Sequence, residues 1–189
     1  MKFQLKKRGN KMSEKEAVAI TIRTALPSDA AGVLDHIRQT SLETGFMTVG
    51  AEGPGITPEE EKRHLENIDE SENNFLLLAL DDEIIIGMAS IKGSASPKIK
   101  HIGELGISIL KEYWGMGLGT LLVKDLIEWA ESSQVIKRLE LTVQKRNERA
   151  IHVYEKLGFE QEAIMKRGVK DDGVYLDVCL MSRLIGEAD

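Results

Sequence analysis

The sequence predicts a mixed α/β or α+β fold, in which helices cover a β-sheet. Two kinds of apolar pattern lead to this prediction: runs of alternating polarity, which are typical of strands, and helical spacing, which is typical of amphipathic helices. The third observation is their order along the chain: strand, two helices, three strands, helix, strand, helix and two strands. The chain has 189 residues and no internal repeats, which favours a single domain.

The first half of the chain supplies a strand, two helices and two further strands. Their predicted positions are residues 17–24, 27–40, 57–69, 75–80 and 83–92. The first strand is rich in Val, Ile and Thr, as strands are. The second helix is introduced by Thr57-Pro58-Glu59-Glu60, a capping box with proline at the first helical position. Asp81-Asp82 supplies a turn between the two strands that follow, which predicts a hairpin.

The second half alternates strands and helices and ends in a hairpin. The predicted positions are residues 99–110, 118–130, 136–143, 147–157, 159–166 and 174–181. Gly106 lies inside the first of these strands, which indicates a bulge or the close approach of another group. Asn147 is a favourable N-cap for the second helix, and Gly158 is a favourable residue just beyond its end. Lys170-Asp171-Asp172-Gly173 joins the last two strands.

Composition disfavours several classes of protein. The net charge of −6 gives no electrostatic reason to expect a nucleic acid as partner. The single cysteine, Cys179, cannot form an internal disulfide, which fits a reducing cytoplasm. It has no histidine near it in sequence, so a buried thiol is favoured over a nucleophile. No apolar run reaches membrane-spanning length, and the four histidines lack metal-ligand spacing.

The first sixteen residues differ from the rest because they are rich in lysine and arginine. We expect a basic, disordered tail over residues 1–16, followed by a single domain over residues 17–189. A basic arm that touches nucleic acid is the alternative for the tail. Met12 is a second candidate for the translation start.

A glycine-rich turn lies between the strand at 99–110 and the helix at 118–130. It reads Gly115-Met116-Gly117-Leu118-Gly119-Thr120. Glycine lets the backbone approach a ligand closely, and the free N–H groups and dipole of a helix N-terminus favour an anion. The turn therefore predicts a phosphate site. A tight turn without a ligand explains the glycines equally well, and the turn alone does not decide between the two.

The combination of this turn with the later motif Asn147-x-x-Ala150-x-x-x-Tyr154-x-x-x-Gly158-Phe159 resembles the GNAT acetyltransferase superfamily. The resemblance extends from about Ile20 to Leu184. It implies a mixed, largely antiparallel sheet of about six to seven strands flanked by four helices. It also implies an N-acetyltransferase with acetyl-CoA as donor and no metal.

The resemblance implies a set of cofactor-binding residues. The family loop usually reads Gln/Arg-x-x-Gly-x-Gly/Ala; Gly117 and Gly119 match its small positions, whereas Trp114 stands where Gln or Arg is usual. Because the loop acts mainly through backbone N–H groups, this departure leaves the expectation in place. The residues expected to bind the cofactor are Ile107, Ser108, Ile109, Trp114, Gly115, Met116, Gly117, Leu118, Gly119, Thr120, Asn147 and Tyr154. A backbone N–H of Ile107 or Ser108 is expected to polarise the donor carbonyl.

Two residues are expected to be catalytic by the same resemblance. Tyr154 is the expected general acid toward the leaving thiolate, and a core tyrosine is the alternative. Glu104 is the expected base, and an outward-facing strand residue is the alternative, because the register of the strand is open at this stage. Asn147 is expected to contact the pantetheine arm, and its alternative role as N-cap is compatible with that contact.

The acceptor is expected to bind between two loops, residues 43–53 and 167–177. Their acidic residues would suit a cationic amine, although solvated loop charges explain them as well: Glu43, Glu52, Asp171, Asp172 and Asp177. We expect a small-molecule primary amine as the acceptor. The alternatives are a protein N-terminus, as in enzymes that act on ribosomal proteins, and a non-catalytic CoA-binding module. The sequence leaves the oligomeric state open, a homodimer included.

Overall fold

The computed structural model describes residues 2–8, 15–50 and 52–186. Within them the chain forms eight strands and four α-helices. The strands are β1 (Lys2–Arg8), β2 (Lys15–Thr24), β3 (Phe75–Asp81), β4 (Ile84–Gly93), β5 (Ile102–Ile109), β6 (Arg138–Gln144), β7 (Glu160–Asp171) and β8 (Val174–Leu184). The helices are α1 (Ala30–Glu43), α2 (Pro58–Asp69), α3 (Leu118–Ser133) and α4 (Glu148–Lys156).

All eight strands belong to one sheet, in the order β1-β2-β3-β4-β5-β6-β8-β7. Neighbouring strands are antiparallel apart from β5 and β6, which are parallel. The predicted mixed, largely antiparallel sheet and the four helices are therefore confirmed. The sheet has one strand more than the six to seven expected.

The additional strand lies where the sequence predicts a disordered tail, and that prediction is wrong for Lys2–Arg8. These residues form β1, which pairs antiparallel with β2 in unbroken register from Lys2 opposite Thr21 to Arg8 opposite Lys15. Phe3 packs against the main core, so an apolar side chain among the basic ones anchors the strand. The alternative start, Met12, lies outside the described residues.

The structure differs from the prediction in two details of the strands, the start of β5 and the conformation at Gly106. β5 begins at Ile102 and not at 99, because residues 97–101 form a turn. Gly106 pairs with Ser90 in a regular register between β4 and β5, so it marks no bulge. A Cβ atom on Gly106 would lie 3.0 Å from Ser90 Oγ, so close approach of a neighbouring group is the correct explanation for this glycine.

The helices cover the sheet in two layers. On one face α3 and α4 pack onto the sheet around a core that includes Leu122, Leu126 and Tyr154. On the other face α1 and α2 cover β3 and β4 around a second core that includes Val33 and Leu65. In α3 the buried residues Leu118, Leu122 and Leu126 follow the amphipathic spacing from which that helix was predicted.

β5 and β6 pair over a short stretch and then separate. Pairing is confined to Ile102–Glu104 of β5 and Arg138–Glu140 of β6. Beyond this point β5 continues along β4 as far as Ile109, and β6 continues along β8 as far as Gln144. Because the two strands are parallel, their carboxyl ends lie at the same edge of the sheet. The N-termini of α3 and α4 follow those ends, so both helices begin at the open end of the gap.

Candidate active site

The gap between β5 and β6 exposes one edge of the β5 backbone. In a strand the N–H and C=O groups of successive residues point alternately to the two sides. The N–H of Leu110 donates to Ile86 O of β4 at 2.9 Å, so Ser108, two residues earlier, also turns its N–H toward β4. Ile107 and Ile109 then turn theirs toward β6, where pairing has ended. Of the two donors considered from the sequence, Ile107 faces the gap and Ser108 does not.

The glycine turn at the open end of the gap presents a row of free donors. Gly115 and Gly117 have φ angles of +78° and +86°, and a Cβ atom on either would meet nothing within 4 Å. The first helical N–H that is satisfied belongs to Leu121, which donates to Gly117 O at 3.1 Å. Among the described residues, the six N–H groups from Gly115 to Thr120 donate no hydrogen bond. α3 has no acidic residue in its first turn, so the turn can accept an anion.

Hydrogen bonds hold the glycine turn from three sides. The hydroxyl of Tyr113 donates to Asp81 Oδ2 at 2.7 Å, which ties the turn to the end of β3. The N–H of Lys111 donates to Glu43 Oε2 at 2.7 Å, which ties it to the end of α1. Trp114 Nε1 donates to Ile109 O, also at 2.7 Å. Glu43 is therefore a structural anchor for the turn, and it is not a free carboxylate for an acceptor amine.

Tyr154 lies in α4 and is 6% exposed. Its ring meets Phe159 edge-on, with the centroids 5.8 Å apart. Burial raises the pKa of the Tyr154 phenol, so the group stays protonated. The hydroxyl forms no hydrogen bond among the described residues, where every fully buried side-chain N or O atom has a partner. The Tyr154 hydroxyl therefore reaches solvent and is available as a donor.

Asn147 caps α4 with one end of its amide. Its Oδ1 accepts a hydrogen bond from the N–H of Ala150 at 3.3 Å, so the predicted N-cap is confirmed. The backbone N–H of Asn147 donates to Gln144 O at 2.8 Å. The Nδ2 group donates to no other described residue, and Asn147 is half-buried. One end of the amide thus serves the helix, and the other is free to contact a ligand.

Glu104 is exposed at the closed end of the gap, where the pairing of β5 with β6 stops. It lies opposite Lys92 of β4 and Glu140 of β6. Glu140 is bonded to Arg138 at 2.9 Å, whereas Glu104 forms no hydrogen bond or ion pair with another described residue. Its register on the strand is now known: it shares a face with Ser108.

The acidic loops are largely neutralised within the chain. Asp171 accepts from Arg146 Nη2 at 2.7 Å, and Asp177 accepts from Lys166 Nζ at 2.7 Å. The lysine holds the pKa of the Asp177 carboxyl below its usual range. Of the five loop carboxylates proposed from the sequence, three (with Glu43) already have partners, so an acidic pocket for a cationic amine does not form as expected.

Arg146 also ties the two loops together. Its Nη2 donates to Gly45 O at 3.2 Å, and its guanidinium lies 5.5 Å from the centre of the Phe46 ring. Gln144 Nε2 donates to the same carbonyl at 2.7 Å. The loop after α1 and the hairpin of β7 and β8 are therefore joined where the sequence predicts the acceptor site.

Comparison with known proteins identifies the family. The family model described as "Acetyltransferase (GNAT) family" matches residues 42–159. The chain belongs to the GNAT family. The resemblance that rests on the glycine turn and on the motif from Asn147 to Phe159 is thereby confirmed.

Individual GNAT proteins agree with this assignment. The L-amino acid N-acetyltransferase AaaT of Escherichia coli is 32% identical over 108 residues, which cover 57% of this chain and 67% of that protein. A GNAT-family acetyltransferase from Streptococcus pneumoniae has a TM-score of 0.86 at 41% identity, covering 88% of this chain and 99% of that one. A phosphinothricin acetyltransferase from Sinorhizobium meliloti, solved with acetyl-CoA, has a TM-score of 0.76 at 22% identity over 88% and 89% of the two chains, and shows the fold alone.

One position departs from the GNAT loop pattern and has a nearby cation. Trp114 replaces the usual Gln or Arg, and the guanidinium of Arg149 lies 5.5 Å from the centre of its ring. Arg149 is exposed in the first turn of α4, so this pair spans the open end of the gap. Arg149 is not predictable from the sequence, because its only signal is its place two residues after the capping Asn147.

Other candidate features lie away from this GNAT site. Cys179 is 1% exposed within the main core, as a structural thiol would be. A depression of about 430 Å³ lies between the β3–β4 hairpin and the start of α1. Arg23 and Asp29 in its lining bond each other at 2.6 Å. In the described part of the chain no three His, Cys, Asp or Glu residues group as metal ligands, and no helix is long and apolar enough to cross a membrane.

Proposed function

We propose that this chain is an acetyl-CoA-dependent N-acetyltransferase that acetylates the primary amine of a small molecule by direct transfer in a ternary complex. One observation carries the proposal: the gap between β5 and β6 opens onto six free N–H groups at the start of α3. We assign the activity to one domain, residues 17–189, to which β1 adds an edge strand.

The described residues fit acetyl-CoA. The N–H groups from Gly115 to Thr120 would hold its pyrophosphate, since they are free and lie at a helix N-terminus. The exposed edge of β5 from Ile107 to Ile109 would pair with its pantetheine arm as an added strand does. Asn147 Nδ2 would donate to the same arm. The cofactor supplies an acetyl thioester, whose carbonyl carbon is electrophilic.

The chain's own groups match the needs of the reaction. The N–H of Ile107 would stabilise negative charge on the carbonyl oxygen. Tyr154 would donate its hydroxyl proton to the departing sulfur, whose thiol has a pKa of roughly 8.5. An alkylammonium has a pKa of about 10.4 and must lose a proton before it can attack. Glu104 would accept that proton, directly or through water, because it lies on this strand and has no partner of its own.

The contacts of Arg146 support a small acceptor. They join Gly45 to Asp171 across the region where an extended peptide would have to pass between the two loops. A small amine can enter from the face that carries Glu104 and Ser108.

A substrate panel tests the proposal. Amines, amino acids, polyamines, aminoglycosides and peptides with a free N-terminus are incubated with acetyl-CoA, and release of the CoA thiol is measured together with the mass of each product. We expect turnover of one class of small amine. Turnover confined to peptides would replace the proposal with a protein N-terminal acetyltransferase. Tight CoA binding without turnover of any acceptor would replace it with a CoA-binding module.

A further inference from the structure

His36 is a buried histidine that the proposed reaction leaves unused. It lies in α1 with 3% of its surface exposed. Its Nδ1 is 3.0 Å from the backbone oxygen of Ile85 in β4. Its Nε2 is 2.9 Å from Ser108 Oγ in β5. The imidazole thus bridges the helix and the strand that borders the gap.

The chemistry of these partners fixes the tautomer of His36. A carbonyl oxygen only accepts hydrogen bonds, so Nδ1 must carry the proton that it shares with Ile85 O. In a neutral imidazole Nε2 is then a bare acceptor. Ser108 must therefore donate its hydroxyl proton to Nε2. The ring stays neutral near pH 7 because burial lowers the pKa of His36 more than its two hydrogen bonds and the charge of Glu43 raise it.

Because Ser108 donates its hydroxyl proton to His36 Nε2, its oxygen can still accept hydrogen bonds from other groups. A hydroxyl has one proton and two lone pairs, and the proton is already used. No other described group donates to this oxygen. Ser108 is half-buried on the face that also carries Glu104, two positions beyond Gly106. Its neighbour Ile107 turns its N–H into the gap.

We propose that Ser108 Oγ, with its proton held by His36, accepts an N–H hydrogen bond from the acceptor amine and so directs the nitrogen lone pair toward the donor carbonyl. The inference rests on the proposed acetyl transfer. Ser108 and His36 are positioning residues, because neither exchanges a proton with the reacting atoms. A serine hydroxyl without a fixed partner could rotate and offer its proton to the nitrogen lone pair, which would block attack. The buried acceptor at Nε2 prevents this.

The first test uses kinetics with the small amine identified in the substrate panel. Ser108→Ala is expected to lower kcat/KM for the acceptor about tenfold, with the KM for acetyl-CoA changed less than about twofold. Ser108→Thr, which keeps the hydroxyl, is expected to recover most of the loss. Ser90→Ala is the matched control, since Ser90 is a half-buried serine on the same face of the adjacent strand and pairs with Gly106. It should behave as the parent enzyme does.

The second test measures whether the kinetic effects of substituting His36 and Ser108 depend on each other. His36→Asn keeps a donor near the position of Nδ1 but removes the acceptor at Nε2. It should cause a loss similar to that of Ser108→Ala, and the double variant should lose little more, because one interaction is removed in each case. Losses that multiply in the double variant would overturn the proposal, since the two residues would then act independently.

The third test needs neither cofactor nor turnover. Nitrogen NMR of the protein with ¹⁵N-labelled histidine should show His36 with a proton on Nδ1 and none on Nε2. The Nε2 resonance should shift in Ser108→Ala and stay in place in Ser90→Ala. A proton on Nε2, or equal acceptor kinetics for Ser108→Ala and the parent, would refute the role of Ser108 while leaving the acetyltransferase proposal intact. Failure of the parent enzyme to acetylate any amine would remove both proposals.

Discussion

Tyr154 shows how burial prepares a side chain for one protonation state. The phenol is nearly enclosed and its pKa is raised, so at neutral pH it carries its proton until a reaction step removes it. Tyr154→Phe removes that donor and keeps the ring that packs on Phe159. We expect kcat to fall about tenfold or more, with the Kd of acetyl-CoA unchanged. Steady-state kinetics and calorimetric titration measure the two quantities.

The control for this variant is Tyr175→Phe, which removes a hydroxyl from a tyrosine that is 59% exposed on β8. It should leave the Kd of acetyl-CoA unchanged. If Tyr154→Phe turned over at the parent rate across the pH range, the phenol would not be the acid, and Tyr154 would be a core tyrosine only.

Asn147 combines two roles that a pair of substitutions can separate. Asn147→Asp keeps the oxygen that caps α4 and loses the Nδ2 donor, whereas Asn147→Ala loses both. Alanine should therefore lower the free energy of unfolding by about 1 kcal/mol, and aspartate should leave it nearly unchanged. Both should weaken acetyl-CoA binding about fivefold. Thermal unfolding and titration provide the comparison, and an aspartate variant that binds normally would restrict Asn147 to capping.

At the scale of residues, the sequence predicted what depends on close neighbours. The cap at Asn147 follows from residues three apart, and the place of Tyr154 on the buried side of α4 follows from helical spacing. The bond between His36 and Ser108 joins residues 72 positions apart, and no local pattern links them. Glu104 needed the strand register, which depends on pairing with β4 and β6. The partners of Asp171 and Asp177 likewise come from tertiary contacts.

The glycine turn is the element on which cofactor binding is expected to depend. Gly117 has a φ of +86°, and a side chain there would extend into the space beside the free N–H groups. Gly117→Glu adds a negative charge close to the expected pyrophosphate and should raise the Kd of acetyl-CoA at least about a hundredfold. Gly117→Ala adds only backbone strain of about 1–2 kcal/mol and should have a smaller effect.

A substitution at a second glycine, Gly173, is the control that distinguishes the effect of backbone strain from an effect on cofactor binding. Gly173, at the turn between β7 and β8, has a φ of +81° and equally open surroundings. Gly173→Ala should lower stability about as much as Gly117→Ala does and leave the Kd unchanged. A normal binding isotherm for Gly117→Glu would show that the turn does not hold the cofactor.

β1 was not predicted from the sequence, and its removal should lower the stability of the fold. A chain that starts at Met12 lacks Lys2–Arg8 and the contact of Phe3 with the core. The free energy of unfolding should fall by about 1–3 kcal/mol, the range for one apolar side chain. Catalytic constants per folded molecule should not change, because three strands separate β1 from β5. An unchanged Tm would show that β1 adds no stability.

Elements with local signals were predicted well, and those without them were not. α2 runs from Pro58 to Asp69, as its capping box indicated. β1 lacked a sequence signal because six of the first fifteen residues are lysine or arginine. Among them Phe3 is the apolar side chain that packs on the core. The separation of β5 from β6 beyond Glu104 also has no sequence signal, since it is a relation between strands that are far apart in the chain.

At the scale of the whole molecule, the helices on the two faces of the sheet contribute different residues around the gap. α3 and α4 pack on one face of the sheet, and the glycine turn and Asn147 lie where these two helices begin, at the open end of the gap. α1 lies on the opposite face and brings His36 to Ser108 and Glu43 to the base of the turn. A donor and an acceptor can therefore approach the gap from opposite faces, which is what direct transfer in a ternary complex requires.

The dependence of stability on pH is the prediction that belongs to the whole molecule. The pKa of His36 is lower in the folded protein than its ordinary value of about 6.5, chiefly because the ring is buried. The unfolded chain therefore takes up the proton first, and stability is lost as the pH falls from about 6.5 through the lower folded pKa. Asp29 adds a later loss, because its hydrogen bonds with Arg23 hold its pKa below the usual value of about 3.9.

Chemical unfolding of the parent and of His36→Asn between about pH 8 and about pH 3 tests this order. The parent should lose stability in the first step, below about pH 6.5, and the variant should lack that step because the buried imidazole that causes it has been removed. Both should lose stability again below about pH 4, where Asp29 is unchanged. Parallel curves for the two proteins between pH 6.5 and pH 5 would contradict a neutral, buried His36, and with it the fixed Ser108 hydroxyl on which the positioning of the acceptor depends.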